Sequence, residues 1–338
     1  MCPKHSTTTG FVSPQYDNER ILDELDQAIK LDPSNPDSYW SRGNIHANSH
    51  HYKEALSDFN QAIKLNPNSS DIYCSRGNAY ASLGRHPEAI ADFDRAIELD
   101  AGSAILYNNR ANSYADLRRH QEALADFVHV FSLDPDYVEA YSNRGTVYCE
   151  LQRYTEALAD FDRAIKLDST YAKAYYNRGL AYGNMQRYEE ALADFDQAIC
   201  HGYAFPAKTY YMRGMTYAHL EQYEEALTDL DQAIELDPNL AEALSDRGFV
   251  YNRLKQYNKA LMDLKRAIQV DPNYASAYIN IAVSLRYTGR LREAISYLRI
   301  ATQLGDPECA TQARRMLLQI ESKRSGCLLE FLGRLFRR

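Results

Sequence analysis

Seven arginines in this 338-residue chain are each followed sixteen residues later by an aspartate. The arginines are Arg42, Arg76, Arg110, Arg144, Arg178, Arg213 and Arg247; the aspartates are Asp58, Asp92, Asp126, Asp160, Asp194, Asp229 and Asp263. A guanidinium is a planar fork of donors that can engage a carboxylate through two parallel hydrogen bonds. Two readings stand: partly buried Arg–Asp pairs, or independent solvated charges, which contribute little. Other reactive side chains form no constellation. His46 and His50 have helical i, i+4 spacing, but a metal site needs three or four converging ligands and no carboxylate completes one. The six cysteines lack CxxC spacing and read as free thiols of a reducing compartment. There is no HExxH and no Gly-rich phosphate loop. The arginines read as architecture, and no cofactor or metal is expected.

Their spacing leads to the elements that hold them. The arginines recur about every 34 residues, and a fixed period of that length marks a repeat architecture. With Pro36 as the first position, eight repeats span 36–69, 70–103, 104–137, 138–171, 172–206, 207–240, 241–274 and 275–308, the fifth carrying one extra residue. Position 8 is always Gly or Ala, position 20 always Ala, position 24 Phe five times and then Leu, and position 27 Ala except at Val130. Positions 4, 8 and 11 share one helical face, as do 17, 20, 24 and 27, so each repeat predicts two amphipathic helices of about three turns. Glycine costs about 1 kcal/mol of helix propensity. Close approach of the two backbones at position 8 is the compensation expected. Repeats end in Leu-Asp-Pro or a near variant, where proline stops one helix and can open the next.

These residues resemble the tetratricopeptide repeat (TPR) family, over 36–308. The resemblance implies an all-α, right-handed superhelical solenoid, with first helices lining a concave groove and second helices outside. The departure is Arg at position 7, with Asp at position 23; in the eighth repeat both change together, to Ile281 and Tyr297. That joint change favours a partly buried pair between the two helices of a repeat.

Around the array, residues 1–17 read as a disordered tail and 18–35 as a capping helix resembling a second helix without its first. Residues 309–324 read as a C-terminal capping helix, and 325–338 as a basic amphipathic tail. From 311 to 338 there are seven Lys or Arg against two Glu, in a chain of net charge -8. That tail could cap the array, bind a partner or the groove, or make weak contact with an anionic membrane surface.

If the resemblance holds, positions 2, 5, 6, 9, 12 and 13 face the groove. Asn109, Asn143, Asn177 and Asn280 share position 6, resembling an asparagine ladder that grips an extended peptide backbone, since an amide both donates and accepts. Asn112, Asn143 and Lys173 match part of a clamp for acidic C-terminal peptides, but Asn108 and Asn177 stand where it needs cations. In repeats 5 to 7, Tyr176, Leu180, Tyr211, Met212, Met215 and Phe249 make an apolar patch, with Lys173, Lys208, His219, Arg253 and Arg286 around it. Aromatic and Met anchors with a charged rim are what interfaces use; stacking between repeats is the competing explanation.

The acidic balance argues against nucleic acid, and no apolar run reaches the ~18 residues of a membrane span. A polar N-terminus without a hydrophobic core argues against a secretory signal, which points to the cytoplasm. The 65 residues outside the repeats are too few for a catalytic domain. The expected function is a non-catalytic scaffold or adaptor that binds extended peptide segments of partner proteins. A peripheral membrane tether, docking through 325–338 while the repeats recruit cargo, is the alternative.

Overall fold

The computed structural model describes the backbone of residues 14–335 and the side chains of residues 18–320 and Ser322. Every element among the described residues is an α-helix. Helix α1 (Pro14–Leu31) precedes eight helix pairs: α2/α3 (Pro36–Asn48, Tyr52–Leu65), α4/α5 (Ser70–Ser82, His86–Leu99), α6/α7 (Ala104–Asp116, His120–Leu133) and α8/α9 (Val138–Glu150, Tyr154–Leu167). The series continues as α10/α11 (Ala172–Asn184, Tyr188–Cys200), α12/α13 (Pro206–His219, Tyr223–Leu236), α14/α15 (Ala241–Arg253, Tyr257–Val270) and α16/α17 (Ala275–Tyr287, Leu291–Ala301). Helix α18 (Pro307–Leu335) then runs unbroken. It carries the backbone of 325–335 onward from the expected cap, while the side chains and last three residues of the expected basic tail lie outside the described residues. Likewise 1–13 of the expected N-terminal tail lie outside them, and Pro14–Asp17 open α1. The chain divides into two compact units, Met1–Ala174 and Tyr175–Arg338.

Within each unit the core sits between the two helices of a pair. The position-24 rings Phe59, Phe93, Phe127, Phe161 and Phe195 and the alanines at positions 20 and 27 are buried. The glycine at position 8 is their counterpart. A Cβ at Gly43, Gly77 or Gly145 would stand 2.6–2.7 Å from the Cε1 of Phe59, Phe93 or Phe161, a separation no carbon pair sustains. The small residue therefore seats an aromatic edge against helix backbone, gaining dispersion contacts that offset its weak propensity.

All seven Arg–Asp pairs form. In each, Nε and Nη2 of the arginine donate to the two carboxylate oxygens at 2.6–2.8 Å. The carboxylates are buried and the guanidinium groups half-buried. The third nitrogen reaches back to the preceding second helix: Arg42 Nη1 donates to Asp26, Arg76 to Asn60, Arg110 to Asp94, Arg213 to Asp196 and Arg247 to Asp231. Val128 occupies the acceptor position ahead of Arg144, and there the guanidinium lies 4.4 Å from the Phe131 ring centroid instead. In the eighth repeat Ile281 is fully buried in the core and Tyr297 packs against Tyr278.

Two further positions close the repeat. At position 15 the backbone is left-handed in every repeat, at His50, Gly84, Arg118, Gln152, Gln186, Glu221, Lys255 and Gly289. That single αL residue turns the chain between the helices of a pair. At position 31, Asp100, Asp134, Asp168, Asp237 and Asp271 each accept from the backbone N–H two residues on, closing the turn into the next repeat. The aspartate of Leu-Asp-Pro thus shapes the turn while proline stops the helix.

Candidate peptide-binding surface

The first helices carry the side chains expected to meet a ligand, and the two units use them differently. In the N-terminal unit the amides bond to one another. Asn109 Nδ2 donates to Asn78 Oδ1 at 3.0 Å and Asn143 Nδ2 to Asn108 Oδ1 at 3.1 Å, while Asn108 Nδ2 lies 3.4 Å from Asn109 Oδ1. Lys173 Nζ donates to Asn143 Oδ1 at 2.9 Å. Asn143 is only 7% exposed and Asn108 is buried, so this is a polar spine joining consecutive first helices. Asn109 and Asn143, both at position 6, thus bond amides of the preceding repeat at its positions 9 and 5. Asn112 is half-buried on α6, and Asn177 is half-buried on α10.

In the C-terminal unit the first helices leave open space. One cavity of about 180 Å³ lies between α10 and α12, lined by Leu180, Gly183, Tyr188, Met212, Met215, Thr216 and His219 among others. A second, of about 210 Å³, lies between α12 and α14, lined by Met215, Ala218, His219, Glu221, Tyr223, Phe249 and Arg253. Met215 and His219 wall both, so the two depressions adjoin. Of the residues singled out from sequence, Leu180, Met212, Met215, His219, Phe249 and Arg253 come together here.

Others lie elsewhere. Tyr176 is 4% exposed and stacks on Tyr203, centroids 4.5 Å apart, with Phe195 on another side. Burial drives its phenol pKa upward, and its hydroxyl has no hydrogen-bond partner. Tyr203 comes from the segment between α11 and α12, where the extra residue of the fifth repeat is absorbed. Tyr211 is half-buried and donates to Asp246 Oδ2 at 2.9 Å. Lys208 is exposed at the start of α12.

The rim has a rule that position-by-position reading missed. At five junctions the residue opening a second helix meets the one closing the next first helix. Tyr188 stacks on His219 and Tyr257 on Tyr287, centroids 5.1 Å apart in both. Arg253 Nε donates to the Tyr223 hydroxyl at 3.0 Å and Nη2 to Glu221 at 3.0 Å. His86 Nδ1 lies 3.6 Å from Asp116, and His120 Nδ1 3.6 Å from Glu150. The sequence signal was complementary chemistry at i, i+30 or i+31.

No group of three or more His, Cys, Asp or Glu among the described residues could hold a metal ion. Cys74, Cys149 and Cys309 are free thiols, and burial pushes Cys149 up to about 11. Cys200 is disulfide-bonded, contrary to the expectation of free thiols throughout. Sequence spacing could not show this, because it tests only short-range pairing. No described helix is long and apolar enough to cross a membrane.

Family models described as tetratricopeptide or TPR repeats match residues 42–104, 104–137, 145–186, 172–201, 207–240 and 239–304. No curated protein matches the sequence. Among solved structures, the chain is similar to the APC/C hetero-tetramer Cut9-Hcn1, with TM-score 0.64 and 19% identity over 79% of this chain and 52% of that one. It is also similar to a tetratricopeptide repeat protein from Parabacteroides merdae, with TM-score 0.56 and 18% identity over 79% and 99%. YrrB, described as a TPR protein with an unusual peptide-binding site, gives 28% identity over 56% of this chain and 97% of that one, with TM-score 0.46. The sequence period, the helix pairs and these matches agree: the chain belongs to the tetratricopeptide repeat family, whose stacked helix pairs serve in general as protein-interaction scaffolds.

Proposed function

We propose that the protein is a non-catalytic adaptor that holds extended peptide segments of partner proteins against the first helices of its fifth to seventh repeats. The observation that carries this reading is the pair of adjoining cavities walled by Met215 and His219. A packed interface between repeats would have filled them; here Leu180, Met212, Met215 and Phe249 line open space. First helices of neighbouring repeats pack roughly 8–10 Å apart. A polyproline II segment rises about 3.1 Å per residue with three residues per turn, so it covers that distance in about three residues and returns to the same face. Two large apolar side chains three residues apart would therefore drop into the two cavities together. Methionine suits such a wall because its unbranched thioether adapts to different side chains.

Selection of peptides from a displayed random library on the full chain tests this, followed by affinity measurement by fluorescence anisotropy. Met215→Gln and Phe249→Ser are expected to weaken binding at least tenfold. Met262→Gln, on the exposed side of α15, is expected to change nothing. Equal losses from all three, or none from the first two, would place the binding surface elsewhere.

A further inference from the structure

Asp246 sits on α14 at position 6, the place where α6 and α8 carry Asn109 and Asn143. The recessed aspartates of the second helices each end on a guanidinium, as Asp229 does on Arg213 and Asp263 on Arg247. Asp246 has no such partner. Its Oδ2 accepts from the Tyr211 hydroxyl of α12 at 2.9 Å, and it forms no ion pair with any described Lys or Arg. The groups around it are Tyr211 on α12, Glu242 one turn earlier on α14 and Tyr274 at the start of α16. Lys208, one turn before Tyr211, makes no ion pair with it. Burial and the neighbouring Glu242 push its pKa up to about 6 against the hydrogen bond from Tyr211. A carboxylate recessed in this way is costly until a cation arrives.

We propose that Asp246, framed by Tyr211 and Tyr274 and backed by Glu242, receives a lysine or arginine side chain of the bound peptide. The site rests on the peptide-binding reading above and adds a charge to it. Asparagine at position 6 both donates and accepts, whereas aspartate accepts only, so the change from Asn to Asp selects a donor-only group. Phe249 lies three residues on, on the same face of α14, and opens into the second cavity. The preferred segment therefore carries a basic residue beside its large apolar ones.

The test compares random dodecapeptides selected on the full chain and on Asp246→Asn. Peptides from the unaltered chain are expected to share a Lys or Arg next to an apolar residue; those from Asp246→Asn are not. For one selected peptide made synthetically, replacing that Lys by norleucine should lower affinity about tenfold on the unaltered chain and leave it unchanged on Asp246→Asn. Affinity of the Lys peptide should also fall between pH 7 and pH 5, where Asp246 takes up a proton. The norleucine comparison and the pH series on the unaltered chain need no folded variant. Selected peptides without a basic residue, or equal losses on both proteins, would overturn the cation site and leave the groove reading standing. Recovery of no peptide at all would overturn both.

Discussion

Arg213 holds three helices at once: α12 carries it, Asp229 on α13 takes two of its nitrogens, and Asp196 on α11 takes the third. Removing the arginine alone strands Asp229, which is buried. Arg213→Ile is expected to destabilise by about 3–5 kcal/mol, measured by chemical denaturation. Adding Asp229→Tyr recreates the Ile281/Tyr297 combination of the eighth repeat and should recover most of that loss. Equal instability of single and double variants would show that the two positions are not coupled. Asp246 behaves in the opposite sense. Its pKa is raised to about 6 from an ordinary 3.8. Near pH 3 and below it is neutral in both folded and unfolded chains and imposes no penalty. As pH rises toward 6 the unfolded chain ionises first, so this group's stabilising contribution is lost. Asp246→Asn should therefore stabilise the protein at pH 7, by about 1–2 kcal/mol after allowing for the solvent that reaches the site, and not at about pH 3. A thermal-melt series across that range checks the sign.

At the scale of one repeat, two backbone positions pull in opposite directions. Gln152 holds φ +58°, a conformation that a Cβ disfavours. Gln152→Gly should stabilise by about 0.5–1 kcal/mol, because glycine occupies that region freely. Gly145 is its converse: a Cβ there would meet Phe161 Cε1 at 2.6 Å, so Gly145→Ala should cost about 1–3 kcal/mol. Ala111 facing Phe127 in the third repeat shows that a methyl can be housed when the whole repeat is shaped around it. Thermal melts of the two single variants moving in the same direction would contradict this account.

Across the molecule, the repeat is a unit of exchange because its interfaces are nearly the same from one to the next. Deleting 70–103 joins Ser69 to Ala104 in register and brings Arg110 to Asn60, which already accepts from Arg76. The shortened chain is expected to keep the same helical content per residue by circular dichroism, with a slightly lower midpoint. The fifth repeat shows this tolerance in the native chain. One extra residue there lengthens the Arg213–Asp196 spacing to seventeen, and the hydrogen bond survives. A collapse of helicity in the deletion would mean that the second repeat carries something its neighbours do not.

Periodicity determined most of this fold. Positions 8, 20, 24 and 27 are constrained by contacts made within about twenty residues, so their spacing alone gave two helices and the way they pack. The Arg–Asp pair was legible for the same reason: both partners lie in one repeat and change together at Ile281 and Tyr297. The surface facing a partner was harder to read, because its contacts cross from repeat to repeat and depend on which side chains are already engaged. Asn109, Asn143 and Lys173 bond within a spine, Tyr176 is packed into the core by Tyr203, and Leu180, Met215, Phe249 and Arg253 are left around open space. A one-dimensional pattern says which residues share a face; only the three-dimensional packing decides which of them still have a free side to offer.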